Sequence, residues 1–201
     1  MIIAVEGIDG AGKHTLVETL MRPLDAATLA FPRYDESAAA QLAQAALHGK
    51  MGDMTDSAYA MAAMFALDRH GAVDLLSRYA GNPDETIILD RYTASNAAYT
   101  WARTGEKTAV AWVEHLEFER LGLPKPDLQV LVDTSPDVAG ARAVAREAQD
   151  VARVRDRYER DVALQHATFA AYRELAQRTW VSQWVVTDDA AVIIQTIDTL
   201  R

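Results

Sequence analysis

Short apolar runs rich in β-branched residues alternate along the chain with longer stretches in which apolar positions recur every three or four residues. Ile2–Glu6 is almost continuously apolar and ends at a glycine, which predicts a buried strand. A Gly-rich turn follows, then a helix near Lys13–Met21. Ala27–Phe31 predicts a second strand, and Ala38–Leu47 a helix. A longer stretch from about Ser57 to Tyr79, apolar on one face, predicts one helix. Thr86–Leu89 predicts a strand stopping at Asp90, and Thr108–Leu121 a helix ended by Gly122 and Pro124. Leu128–Val132 predicts a strand, and Asp137–Tyr172 a mostly helical region interrupted near a group of arginines. Trp184–Thr187 and Ala190–Leu200 predict a last strand and a last helix.

Strands alternating with helices in this way predict an α/β fold whose parallel sheet is covered on both faces. Ligands in such folds bind beyond the carboxyl ends of the strands. The polar motifs fall there: Asp9 to Lys13, Pro32 to Tyr34, and Asp90 to Tyr92. A length of 201 residues with no repeat and no Gly/Ser linker predicts one domain, at most with a small lid.

Composition narrows the picture. Half the residues are apolar, enough for a sizeable core. No cysteine is present, so neither a disulfide framework nor a thiol nucleophile is expected. The net charge of −9 argues against a nucleic-acid partner. No apolar run approaches the roughly 20 residues that span a bilayer, and Met1–Glu6 does not read as a signal segment. No membrane partner and a cytoplasmic location are expected. Within this acidic chain Arg142, Arg146, Arg153, Arg155, Arg157 and Arg160 crowd together, which suggests a small anionic ligand.

The strongest motif is Gly7-Ile8-Asp9-Gly10-Ala11-Gly12-Lys13-His14-Thr15, a G-x-x-x-x-G-K match between a strand and a helix. Its glycines let backbone N–H groups converge on one point, and the helix start adds positive potential. Lys13 is expected at the bridging phosphate oxygens of the ligand. The position after the lysine, usually Ser or Thr for Mg2+, is His14, a poor ligand for a hard cation. Either Thr15 substitutes or carboxylates such as Asp9 hold the metal; the carboxylate route is favoured.

The segment Glu6-Gly7-Ile8-Asp9-Gly10-Ala11-Gly12-Lys13 resembles the E-G-x-D-G-x-G-K opening of thymidylate kinases. Three more segments are similar in order and spacing: Phe31-Pro32-Arg33-Tyr34; Leu89-Asp90-Arg91-Tyr92 with Ser95 and Asn96; and Leu121–Asp127. The likeness runs to about residue 165 and is particularly clear to mycobacterial and actinobacterial members, through Phe65–Arg69 and Ala94–Tyr99. It implies a P-loop nucleoside monophosphate kinase fold: a parallel five-stranded sheet with helices on both faces, and an Arg-rich lid at about 142–157. It further implies transfer of the γ-phosphoryl group of ATP to dTMP, with Mg2+ as cofactor, in a homodimer. The apolar helices around Ala58–Leu67 and Val110–Leu121 suit such an interface.

The resemblance also implies roles. Arg91 and Arg33 would hold the acceptor phosphate, as a guanidinium can bidentately. Phe65 and Arg69, four residues apart on a helix, would stack on the pyrimidine and donate to its 4-oxo group, with Asn96 at the base edge. Tyr99 would crowd the 2′ position. Phe31, Tyr34 and Ser95 belong to the same acceptor motifs, and Asp9 would lie near the sugar 3′-hydroxyl and the metal. The P-loop carries no arginine, so the lid must supply the one that neutralises the migrating group. Arg146 and Arg153 are the candidates, with Arg155 in support and Arg142 stacking on adenine. In Arg155-Asp156-Arg157-Tyr158-Glu159, Asp156 and Glu159 would orient the acceptor or the metal, beside Tyr158. Two places depart from the family: Gln149–Ala152 lacks an arginine, a proline and a glycine, and the Met21–Ala27 link is short.

Rival readings are weaker. A kinase acting on dUMP or dCMP is the nearest. A P-loop switch protein would need an N-K-x-D motif, and a DNA-associated ATPase a strand ending in D-E where Asp90-Arg91 stands. His48, His70, His115 and His166 have no metal-ligand spacing.

Overall fold

A computed structural model of the chain describes residues 1–149 and 155–201. Five parallel strands, β1 (Ile2–Glu6), β2 (Ala27–Ala30), β3 (Ile87–Asp90), β4 (Leu128–Leu131) and β5 (Gln183–Val186), form one sheet in the order β2-β3-β1-β4-β5. Every residue of β1 is buried, as a central parallel strand requires. Its side chains alternate between two cores. Ile3 and Val5 pack with Leu16, Ala97, Tyr172 and Ile193, while Ile2 and Ala4 pack with Phe31, Leu76, Leu89 and Tyr92. From β1 the chain runs toward one sheet edge, and after β3 it crosses to the other. The ends of β1 and β3 therefore face an open crevice.

Ten helices cover the described residues: α1 (Lys13–Met21), α2 (Ala38–Leu47), α3 (Ala58–His70), α4 (Val73–Ser77), α5 (Thr93–Thr104), α6 (Thr108–Glu114), α7 (Pro136–Gln149), α8 (Arg157–Arg160), α9 (Val162–Gln177) and α10 (Ala190–Leu200). Three differ from the sequence expectation. The single helix expected over Ser57–Tyr79 is two, α3 and α4, with Gly71 as the C-cap of α3. The helix expected over Thr108–Leu121 is α-helical only to Glu114 and continues as a π-helical turn over His115–Arg120. α5 has no counterpart among the predicted elements. Residues 93–98 are all buried, so its Thr-Ala-Ser-Asn start shows none of the apolar periodicity of a half-exposed helix. The short Met21–Ala27 link closes as a tight turn: the Ala26 amide donates to the Met21 carbonyl at 2.9 Å, and Asp25 takes a left-handed φ of 46°.

Candidate active site

The loop after β1 wraps residues 7–12 ahead of α1, with Gly12 left-handed at φ 109° as the N-cap. Gly10 has φ 83°, and a Cβ there would lie 2.2 Å from the Ala139 carbonyl of α7, so only glycine fits. Lys13 is 7 % exposed and its ammonium donates to the Ile8 carbonyl at 2.9 Å. Burial lowers its pKa to about 8, with the Arg91 charge adding to the effect. His14 points outward, paired with Glu18 at 3.4 Å, and Thr15 beside it is exposed.

Arg91 follows β3 in the left-handed region, φ 71°, an uncommon conformation for a residue with a side chain. That turn sends its guanidinium across to the β1 loop. Nη1 donates to the Gly7 carbonyl at 2.9 Å and to Ser95 Oγ at 3.3 Å, and Nη2 to Asp9 Oδ1. Asp9 Oδ2 accepts from the Tyr99 hydroxyl at 2.7 Å. Burial alone would raise the Asp9 pKa. Arg91 and Lys13, with those hydrogen bonds, override it and hold the carboxyl near about 2. Behind this pair lies Glu6, fully buried, which accepts from the Tyr92 amide at 2.9 Å, Ser95 Oγ at 2.6 Å and the Tyr172 hydroxyl at 3.1 Å. Burial pushes its pKa up; those bonds and Arg91 oppose the shift.

Beside Arg91 opens a cavity of about 320 Å³. Of the residues singled out by sequence, Asp9, Phe31, Tyr34, Phe65, Arg69, Arg91, Ser95, Asn96, Tyr99, Asp156, Tyr158 and Glu159 all line it. One wall holds a buried polar network. Arg69 Nε and Nη2 donate to Glu117 at 2.6 and 2.7 Å, and Asn96 Nδ2 donates to Glu117 Oε1 at 2.7 Å and to the Ala62 carbonyl at 3.0 Å. Elsewhere in the lining the Tyr99 and Tyr158 rings stack with centroids 6.0 Å apart. Asp156 caps α8, accepting from the Tyr158 and Glu159 amides at 2.8 and 2.9 Å, while Glu159 Oε2 accepts from the Asp156 amide at 3.1 Å. Burial raises the pKa of both carboxyls, and the negative charge of Asp9 adds to each shift.

Other expected residues stand apart. Arg33 does not line the cavity. It turns toward α3, where its amide and Nε each donate to the Asp68 carboxylate at 3.0 Å and Nη2 to the Asp68 carbonyl. Arg142 Nη1 donates to the Ala11 carbonyl at 3.2 Å, against the P-loop backbone, and Arg146 is exposed one turn further along α7. Arg155 pairs with Glu147 at 2.7 Å. Arg153, and the departure at Gln149–Ala152 beyond residue 149, lie outside the described residues. Among the described residues no three His, Cys, Asp or Glu side chains converge as a metal cage. No helix there is long and apolar enough to cross a membrane.

Sequence reasoning missed Glu6, Arg103, Glu117 and Tyr172. Arg103 donates to the Tyr158 hydroxyl at 2.5 Å and to the Thr55 carbonyl, tying the rim of the cavity. Its signal was the four-residue spacing from Ser95 through Tyr99 on α5. Glu117 stands in an otherwise apolar stripe with the buried Ala109 and Val113, again at four-residue intervals.

The thymidylate kinase family model matches residues 5–197. Thymidylate kinases of two Mycobacterium tuberculosis strains are 53 % identical over 194 residues, covering 92 % of this chain and 90 % of theirs. A solved thymidylate kinase from Candida albicans superposes with a TM-score of 0.70 at 22 % identity, over 98 % of this chain and 91 % of that one. A deoxyadenosine kinase from M. mycoides gives 0.64 at 16 % identity, over 100 % and 96 %. These two structural likenesses speak for the fold. The family model and the mycobacterial sequences go further, and with the P-loop and its adjoining cavity they make this chain a member of the thymidylate kinase family.

Proposed function

We propose that the chain transfers the γ-phosphoryl group of ATP to dTMP, with ATP on the P-loop and dTMP in the adjoining cavity. The observation that carries this reading is the Arg91–Asp9 pair, which joins the phosphate loop to the cavity lined by Phe65, Arg69 and Asn96. The P-loop amides and Lys13 hold the donor's phosphates. Arg91 has one guanidinium edge on the loop and faces the cavity, so it meets the acceptor phosphate. The pyrimidine lies against Phe65, with Arg69 and Asn96 at its edge and Tyr99 under the sugar. Arg33, tied to Asp68, has no direct part in this assignment. Residues 1–201 act as one kinase domain, with a lid of about 142–157 closing over the donor.

In-line phosphoryl transfer needs little covalent help and much charge compensation. Arg91 supplies it on the acceptor side. Arg146 of α7, with Arg153, supplies it on the donor side as the lid closes, and Arg142 stacks on the adenine. Asp9, kept ionised, holds Arg91 in register and offers an acceptor to the sugar hydroxyl.

The donor set fits a Mg2+ ion that arrives on the triphosphate. Asp9 and Glu159 line one cavity, and burial together with the charges of Asp9 and Asp156 raises the Glu159 pKa, a field that a cation relieves. Asp9 and Glu159 would hold the ion, its other ligands being phosphate oxygens and water, and it would supply charge neutralisation during transfer.

Tyr59 and Leu67 on α3 are 38 % and 44 % exposed, and Tyr59 packs edge-on against Trp112 with centroids 4.8 Å apart. That apolar face is the proposed two-fold dimer surface of a cytoplasmic enzyme. Light scattering at micromolar concentration tests it, and a clean monomer rejects it. A coupled ADP-release assay across dTMP, dUMP, dCMP and dGMP tests the activity. Equal turnover on all four would end the assignment of the cavity to a pyrimidine.

A further inference from the structure

Glu117 is fully buried, lies on the π-helical turn after α6, and does not line the cavity. Its carboxylate nevertheless touches both polar residues at the proposed base edge. Oε2 takes Arg69 Nε at 2.6 Å, and Oε1 takes Arg69 Nη2 at 2.7 Å and Asn96 Nδ2 at 2.7 Å. The Ala62 carbonyl takes the same Asn96 Nδ2 at 3.0 Å. Both acceptors facing the Asn96 amide nitrogen lack hydrogens. A flipped Asn96 would set its oxygen against two other oxygens, so the amide has one permitted orientation.

This leaves a fixed remainder. Arg69 Nη1 and Asn96 Oδ1 have no protein partner among the described residues. Neither is among the buried polar atoms left without one, and both residues line the cavity. The wall thus presents one donor and one acceptor side by side. A 4-oxo pyrimidine offers the complement, an acceptor at O4 and a donor at N3–H. A 4-amino pyrimidine offers a donor at N4 and an acceptor at N3, and both contacts become repulsive.

We propose that Glu117 is a positioning residue that sets the polarity of base recognition, making the site select 4-oxo over 4-amino pyrimidines without touching the nucleotide. The inference rests on the assignment of the pyrimidine to the Arg69–Asn96 wall. A discriminating site of this kind draws its selectivity from polar groups that cannot reorient. Glutamine at position 117 would place an N–H against Arg69 or Asn96, and the Asn96 amide would be held one way round by the Ala62 carbonyl alone.

The test compares kcat/KM of the unsubstituted enzyme and Glu117→Gln on dTMP, dUMP and dCMP. The expected result is a fall of about tenfold or more for dTMP and dUMP together, carried mainly by KM, with dCMP not falling, so that the oxo-to-amino ratio drops by the same factor. A merely structural role lowers all three acceptors alike, and that outcome, in a folded variant, overturns the proposal while leaving the base assignment intact. An unsubstituted enzyme with no oxo-over-amino preference overturns the base assignment itself. The sequence holds only two asparagines, Asn82 and Asn96. Selective 15N-asparagine labelling of the unsubstituted protein therefore gives a second measurement, independent of whether Glu117→Gln folds. One side-chain amide is expected to exchange slowly before any nucleotide is added. Rapid exchange of both overturns the lock.

Discussion

Lys13 gives the site a pH dependence of predictable sign. Its ammonium is buried, and its pKa in the unliganded protein falls from 10.5 to about 8 through burial and the Arg91 charge, against smaller opposing effects of Asp9, Asp90 and Glu6. A polyphosphate reverses the balance by setting negative oxygens against the ammonium. Binding above pH 8 must therefore take up a proton. With a free-state pKa of about 8, roughly nine-tenths of the molecules carry the charge at pH 7 and about one-tenth at pH 9. Triphosphate affinity is expected to fall about tenfold between those pH values, or ~1.4 kcal/mol. Calorimetry at pH 9 in two buffers of different ionisation enthalpy should show uptake of about 0.9 proton. A Lys13→Arg variant, whose guanidinium stays charged, should lose the dependence. The unliganded fold behaves oppositely. The unfolded chain binds more protons between pH 8 and 10.5, so stability without nucleotide rises through that window. Flat affinity from pH 7 to 9 with no proton uptake refutes the reasoning.

Further outcomes follow from single contacts. Tyr99→Phe removes a 2.7 Å hydrogen bond to a charged acceptor and should cost about 1.5–3 kcal/mol in urea unfolding, with discrimination against ribonucleotides retained because the ring remains. Gly10→Ala forces a Cβ to 2.2 Å from the Ala139 carbonyl at φ 83°. A loss of about 1–3 kcal/mol in thermal unfolding and weaker ATP binding are expected. Arg153→Ala should lower turnover far more than nucleotide affinity; a fall in affinity alone removes Arg153 from the transfer step.

The sheet was readable from sequence because buried parallel strands are short apolar runs, and Ile2–Glu6 and Leu128–Leu131 are buried throughout. The P-loop was readable because its chemistry is local, every member lying within nine residues. What escaped was non-local. α5 is buried by neighbours on several sides, so its pattern carried no face. The partner that draws Arg33 away from the cavity, Asp68, lies 35 residues downstream, and nothing in Phe31–Tyr34 announces it. Glu117 joins Arg69 from 48 residues away and was hidden within an apolar stripe.

The Arg33–Asp68 contact has a mechanical consequence. Through its amide, Nε and Nη2, Arg33 bolts the turn after β2 to α3. Phe31 and Tyr34 on that turn and Phe65 and Arg69 on α3 consequently form a single stationary jaw. Entry and exit of a nucleotide must then be accommodated by the opposing rim, where α8 and Tyr158 are tied by Arg103. Cutting that tether should speed product escape, whereas loosening the jaw should blur which base is held.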